Sequence, residues 1–227
     1  MDRMDFIQGV TRTRVLETRL LSGTRLDRII EARDIREIFK ILNETEYSNA
    51  VSAVNRDDEY EKILSSELKR VYKLMREVSK DPVVVDLMAL KYDYHNLKVM
   101  LKEEKFNKDL SDLYSPIGTL DMKKLKTEFA DDNLKEIQPQ FREAIEEVLE
   151  DLAVNVDPQR IDIIMDKYYF NHFYKMASDT KIDLFVEYVK DMIDFINIKS
   201  IIRLRNQGKD IRFSQDVILE NGNIDIV

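Results

Sequence analysis

Asp57, Asp58, Glu59 and Glu61 cluster around Tyr60, and of all the groupings in this chain theirs comes nearest to a catalytic device. Paired acids of this kind hold magnesium and a diphosphate in helical prenyl-transfer enzymes, but that chemistry needs a second acidic cluster across an apolar cavity. No partner motif is evident, and acids at a helix start are expected from the macrodipole alone. A di-iron carboxylate bundle requires Glu three residues before each His. Tyr92 stands there before His95 and Tyr169 before His172. Neither His has a Cys or a second His nearby, as a zinc site would want, and no Gly-rich phosphate loop occurs. No catalytic residue, cofactor ligand or metal ligand is therefore assigned. Arg12, Arg14, Glu17 and Arg19 could form a ligand-binding cluster; the plainer reading is a partly buried ion-pair network within the lobe or a subunit contact.

The elements that must carry these residues read as helices throughout. Five Gly, four Pro and no Cys stand against 35% charged residues in 227. That balance favours long helices and excludes disulfides and thiolate metal sites. The fold expected is all-α. No apolar run approaches the ~20 residues of a membrane span, and no signal-peptide pattern opens the chain, so a cytoplasmic protein is expected. The net charge of −8 argues against nucleic acid as a partner. The imbalance is localised, with ten acids between Thr127 and Asp157 against Lys135 and Arg142, whereas Arg3, Arg12, Arg14, Arg19, Arg25, Arg28, Arg33 and Arg36 crowd the start.

Helical periodicity predicts a first helix from Asp5 to Leu21 closed by Ser22-Gly23, then a short one capped by Thr24 with Leu26, Ile29 and Ile30 inward. Asp34 opens a third, with Ile35, Ile38, Phe39 and Leu42 inward. After a small, polar stretch from Tyr47 to Asn55, Asp57 to Lys80 reads as a longer helix with Tyr60, Leu64, Leu68, Val71, Leu74 and Val78 on one face. Asp81-Pro82 restarts the chain, and Val83, Leu87, Leu90, Tyr94, Leu97 and Leu101 then form an unbroken apolar stripe. Later come a helix near Leu120 to Glu136, an acidic helix after Pro139, an Asp157-Pro158 restart, and an aromatic segment from Tyr168 to Tyr174, expected to be buried on more than one side.

The chain also repeats itself. Asp93-Tyr-His-Asn-Leu-Lys-Val-Met-Leu-Lys102 returns as Asp194-Phe-Ile-Asn-Ile-Lys-Ser-Ile-Ile-Arg203, and the same offset pairs Lys108-Asp109-Leu110 with Lys209-Asp210-Ile211. The matching stripe in the second copy is Leu184, Tyr188, Phe195, Ile198 and Ile202, broken only by Asp191. It is expected to face a core as the first does. Asp93 and Asn96, like Asp194 and Asn197, share one helix side and are expected to bond each other or a neighbouring helix. Gly118-Thr119-Leu120-Asp121 opens the second copy, and Gly222-Asn223-Ile224-Asp225 echoes it. The organisation expected is a first lobe over 1–117, a second over 118–221, and the start of a third over 222–227.

Two stretches carry a family resemblance. Val10-Thr-Arg12-Thr-Arg14-Val-Leu-Glu17-Thr-Arg19-Leu-Leu-Ser22 resembles the V-x-R-x-R-x-x-E-x-R-L-L-S opening of the C subunits of archaeal and bacterial V/A-type ATPases, relatives of the eukaryotic V-ATPase d subunits. Lys91-Tyr-Asp93-Tyr-His95-Asn96-Leu-Lys98 is similar to that family's K-Y-D-x-H-N-L-K signature. The resemblance implies a funnel of three similar helical lobes, with two present here and the C-terminal third lacking. It implies a non-catalytic central-stalk protein on the cytoplasmic face of the cell membrane. Its partners would be the rotor shaft subunits and the membrane rotor ring, coupled for ATP synthesis or ATP-driven transport of H+ or Na+. Membrane contact would come only through that complex. A soluble α-helical adaptor and a magnesium-dependent helical enzyme are the alternatives.

Overall fold

The computed structural model describes residues 7–79, 81–131, 133–208 and 215–224. Among these the regular structure is helical, without a strand. Asp5, Phe6, Lys80, Asp132, Lys209, Asp210, Ile211 and Asp225 lie outside the described residues. The chain divides into two compact units, Met1–Val85 and Asp86–Val227.

The first unit holds α1 (Ile7–Glu17), α2 (Gly23–Ile30), α3 (Ile35–Asn43), α4 (Ser48–Ser52) and α5 (Tyr60–Val78). Ser22 does not close α1, which ends at Glu17. It caps α2 instead, with extended backbone and its hydroxyl accepting from the Arg25 N–H at 3.4 Å. A serine oxygen suits the unpaired donors of a helix start better than a helix end. Asp34 caps α3 as expected, accepting from the Glu37 N–H at 2.9 Å. The small, polar stretch after Tyr47 contains α4, which packs Ala50 and Val51 against Ile63 of α5, with Phe39, Leu42, Tyr47 and Val54 around them. Small side chains let the short helix approach closely.

That contact decides which side of α5 turns inward. Ile63 is buried, while Tyr60, Leu64, Leu68 and Val71 of the expected stripe are exposed. Leu26 and Ile30 of α2 are exposed as well, so those inward assignments are corrected. Periodicity finds apolar stripes, but a small lobe has too little interior to cover all of them.

Asp81 accepts from the Val83 N–H at 2.9 Å and starts α6 (Val83–Phe106). The second unit continues with α7 (Met122–Ala130), α8 (Pro139–Val154), α9 (Pro158–Asp179) and α10 (Asp183–Asn206). α7 is shorter than expected, and a 3-10 turn at Leu134–Glu136 follows it. Asp157 caps α9 through the Gln159 N–H at 2.9 Å, with Pro158 in the first turn. α9 packs on both α8 and α10. In the aromatic segment Phe170 and Phe173 are buried, whereas Tyr168 reaches outward to donate to Glu147 at 2.7 Å.

The α6 stripe behaves as its spacing predicts, with Leu87, Leu90, Tyr94, Leu97 and Leu101 all buried. The Tyr94 ring lies 5.2 Å from that of Phe141 on α8 and 5.7 Å from that of Tyr169 on α9. Its copy on α10 does not behave so. Leu184, Tyr188, Phe195, Ile198 and Ile202 are exposed, and α10 instead buries Val189, Ile193, Asp194, Asn197 and Leu204. Among the described residues of this unit, α9 is the helix that packs closely along α10. Both repeat helices are followed by a residue of positive φ, Asn107 at 48° and Gly208 at 64°, types that tolerate the left-handed turn closing a helix.

Candidate functional site: two Asp and Asn clamps

Among the described residues the repeated Asp and Asn are the buried polar ones, at 1% exposure for Asp93 and Asn96, 8% for Asp194 and 2% for Asn197. Buried polar groups persist where their hydrogen bonds are satisfied, so their partners explain them. Asn96 closes a two-bond ring with the backbone of Ser115, donating from Nδ2 to its carbonyl at 2.9 Å and accepting its N–H at Oδ1 at 2.8 Å. Asp93, one turn earlier, accepts the Leu120 N–H at 2.9 Å and the Thr119 hydroxyl at 2.9 Å. These partners belong to the loop after α6 rather than to a neighbouring helix, which corrects the expectation.

The second copy does the same. Asn197 pairs with the carbonyl and N–H of Leu219 at 2.8 and 2.9 Å, and Asp194 accepts from the N–H groups of Asn223 at 3.0 Å and Ile224 at 3.2 Å. A glycine fits under each carboxylate. A β-carbon on Gly118 would lie 2.5 Å from Asp93 Oδ1, and one on Gly222 would lie 2.2 Å from Asp194 Oδ1. The Gly-Thr-Leu and Gly-Asn-Ile echo is thus the clamps' other half. A single sequence offset does not link it to the helices because the second loop is longer: Asn96 reaches 19 residues to Ser115, and Asn197 reaches 22 to Leu219.

Chemically the clamps are fasteners. Each carboxylate accepts from donors fixed by the loop, an arrangement that locks a loop to a helix. α6 pins its loop further. Burial opposes ionisation of Glu103, but hydrogen bonds from Lys126, Tyr114 and the Leu110 N–H outweigh that and leave its pKa lowered. His95 Nε2 lies 2.8 Å from the Leu113 carbonyl. Across the core, Lys98 reaches Asp166 at 2.6 Å and Lys102 reaches Asp162 at 2.8 Å, stitching α6 to α9.

The other candidates are placed apart. Asp57 pairs with Arg36 and Asp58 with Arg56, each at 2.6 Å, with Arg36, Arg56 and Asp58 largely in solvent and Asp57 half-buried. His172 sits in the core beside Tyr94, whose hydroxyl is 3.2 Å from Nδ1, and burial followed by the Lys175 charge lowers its pKa. Arg12 pairs with Glu77, Arg14 with Glu17 and Arg19 with Glu46, at 3.0, 2.7 and 3.4 Å. These pairs are exposed rather than partly buried and do not converge on one point. Among the described residues no three carboxylate or imidazole groups come together as a metal would require. No described helix is long and apolar enough to cross a membrane.

Comparison with known proteins places the chain among rotary ATPase proteins by sequence. The chain is 26% identical over 208 residues to the C subunit of the V-type sodium ATPase of Enterococcus hirae, covering 92% of this chain and 63% of that one. It is 24% identical over 213 residues to the C subunit of the A-type ATP synthase of Methanocaldococcus jannaschii, covering 87% and 53%. For the corresponding A-type ATP synthase protein of Thermococcus kodakarensis the identity is 24% over 226 residues, covering 95% and 61%. The chain therefore spans between about half and two thirds of the length of these relatives. The family model for the ATP synthase (C/AC39) subunit matches residues 9–226, enclosing both clamps, and this chain belongs to that family.

Proposed function

We propose that this protein is a non-catalytic central-stalk subunit of a V/A-type rotary ATPase, joining the rotary shaft to the membrane ring for ATP-linked transport of H+ or Na+. It would sit at the cytoplasmic face of the membrane and touch the bilayer only through its complex. The observation that carries this reading is the family match over residues 9–226. The physical character of the chain supports it. Helices fastened to their loops by buried, fully bonded Asp and Asn resist deformation, and a torque-bearing spacer needs stiffness more than a reactive group. On this reading the repeated lobes are residues 1–117 and 118–221, with 222–227 opening a third, and each helix bearing Asn-Leu-Lys or Asn-Ile-Lys is the spine of its lobe.

Co-expression tests the assignment. The tagged chain is expected to co-purify with shaft and ring subunits of its own ATPase, and its deletion to abolish ATP-driven ion uptake into membrane vesicles. Uptake that persists at the undeleted rate would sink the reading.

A further inference from the structure

Asn221 and Gly222 form the one Asn-Gly pair in the chain, and they lie between the two halves of the second clamp. On one side Asn197 holds the carbonyl and the N–H of Leu219, at 2.8 and 2.9 Å. On the other, Asp194 holds the N–H groups of Asn223 at 3.0 Å and Ile224 at 3.2 Å. Glu220, Asn221 and Gly222 must therefore bridge two fixed points. They do so with Asn221 at a φ of 71°, a left-handed conformation that strains most L-residues and that Asn tolerates better than others.

At this pair a backbone nitrogen can attack a side chain. The Gly222 nitrogen is close in covalent structure to the Asn221 side-chain carbonyl carbon, and Gly222 has no β-carbon to obstruct the approach. Among the described residues no group accepts a hydrogen bond from the Gly222 N–H. The same holds at the first clamp, where the chain continues into α7–α10 and the Gly118 N–H is also unbonded. What differs is the preceding residue, since Ile117 offers no side-chain carbonyl.

We propose that Asn221 is a self-modification site at which the second clamp opens irreversibly, a fate the first clamp cannot share. The Gly222 nitrogen bonds to Asn221 Cγ, the Cγ–Nδ2 bond breaks, and ammonia leaves with the proton from the Gly222 N–H. The product is a cyclic imide, which water opens at either carbonyl. Opening at Cγ yields ordinary aspartate. Opening at the main-chain carbonyl leaves isoaspartate, whose main chain runs through Cγ and is longer by one methylene group. That longer link cannot span Leu219 and Asn223 unchanged. The bond from Asn221 Nδ2 to Asn171 Oδ1, 3.2 Å in the unmodified chain, is lost with the ammonia. The inference is independent of the rotary assignment.

Storage of the 227-residue chain in mildly alkaline buffer tests it. Peptide mass mapping is expected to show the change from amide to carboxyl at Asn221 ahead of every other Asn. An isoaspartyl methyltransferase should place its methyl label on the same peptide. Hydrogen exchange of the modified fraction should lose protection at Asn223 and Ile224 and keep it at Ser115 and Leu120. Asn221→Gln keeps an amide but requires a larger, slower-forming ring, so it should abolish both the label and the loss of protection. A synthetic peptide of residues 218–224 provides the timescale. A chain still intact at Asn221 after that peptide has converted would overturn the proposal, because the fold would then shield the bond. Modification that leaves Asn223 and Ile224 protected, or faster ammonia loss at another Asn, would overturn it equally.

Discussion

Gly118 lies directly against the carboxylate of Asp93, so close that a β-carbon there would stand 2.5 Å from Oδ1 and 3.3 Å from Asn96 Nδ2. Gly118→Ala must therefore push the clamp apart, and the cost expected is about 1–3 kcal/mol, the range for forcing extra atoms into a packed site. Gly222→Ala should cost a similar amount at the second clamp. Gly23→Ala is the control, because nothing lies within 4 Å of that position at the start of α2. Urea unfolding midpoints would compare the three, and an unmoved midpoint for Gly118→Ala would contradict the geometry.

Asn96→Ala removes both bonds to Ser115 and leaves a backbone N–H and C=O without their partner. Destabilisation of about 1–3 kcal/mol is expected. Amide exchange of Ser115 and Leu120 should speed up before that of the α6 interior, since the loop is released first. Uniform acceleration across the helix would mean that Asn96 supports the whole core rather than the loop.

The pH dependence should carry the mark of His172. Burial and the Lys175 charge lower its pKa in the folded chain from the ordinary 6.5. Burial also raises the Tyr94 pKa, keeping the hydroxyl protonated and able to donate to Nδ1 of the neutral ring. The unfolded chain then takes up a proton where the folded chain does not. This contribution to stability is complete above about pH 6.5 and is lost as pH falls through the folded value. Thermal melts between about pH 7.5 and 5.5 should show a decline that His172→Phe flattens. A second decline lies lower. Arg160 holds Asp151 below its ordinary 3.8 against the opposing effect of burial, and Glu103 lies below its ordinary 4.5. What those carboxylates contribute is lost only as pH falls beneath those values.

Lys102 and Asp162 join α6 to α9 through two contacts of 2.8 Å while both remain partly in solvent. A double-mutant cycle with Lys102→Met and Asp162→Asn should give a coupling of about 0.3–1 kcal/mol, reduced in about 1 M salt. Coupling that salt leaves unchanged would indicate that the contact is packing between side-chain stems instead of charge.

Much of the local structure is legible from residue types. Asp34, Asp81 and Asp157 begin helices because their carboxylates accept otherwise unpaired N–H groups, a property that depends only on neighbours in sequence. The clamp is half legible. Asp93 and Asn96 repeat visibly, but their partners lie 19 or more residues away across loops of unequal length, and a fixed offset cannot align those. Ser22 reads ambiguously because serine followed by glycine suits a helix end as well as a helix start until the turn is seen.

Sequence by itself determined that the chain is helical, that it repeats, and where apolar stripes run. Only the tertiary structure decided which stripes are covered. α6 and α10 carry the same pattern, yet Leu97 is fully buried while its counterpart Ile198 is 43% exposed. Periodicity is set by ~3.6 residues per turn and by nothing outside the helix. Burial requires a second surface, and for α6 that surface is supplied by α8 and α9, while among the described residues α9 is the helix packed closely along α10, and it leaves Phe195, Ile198 and Ile202 uncovered.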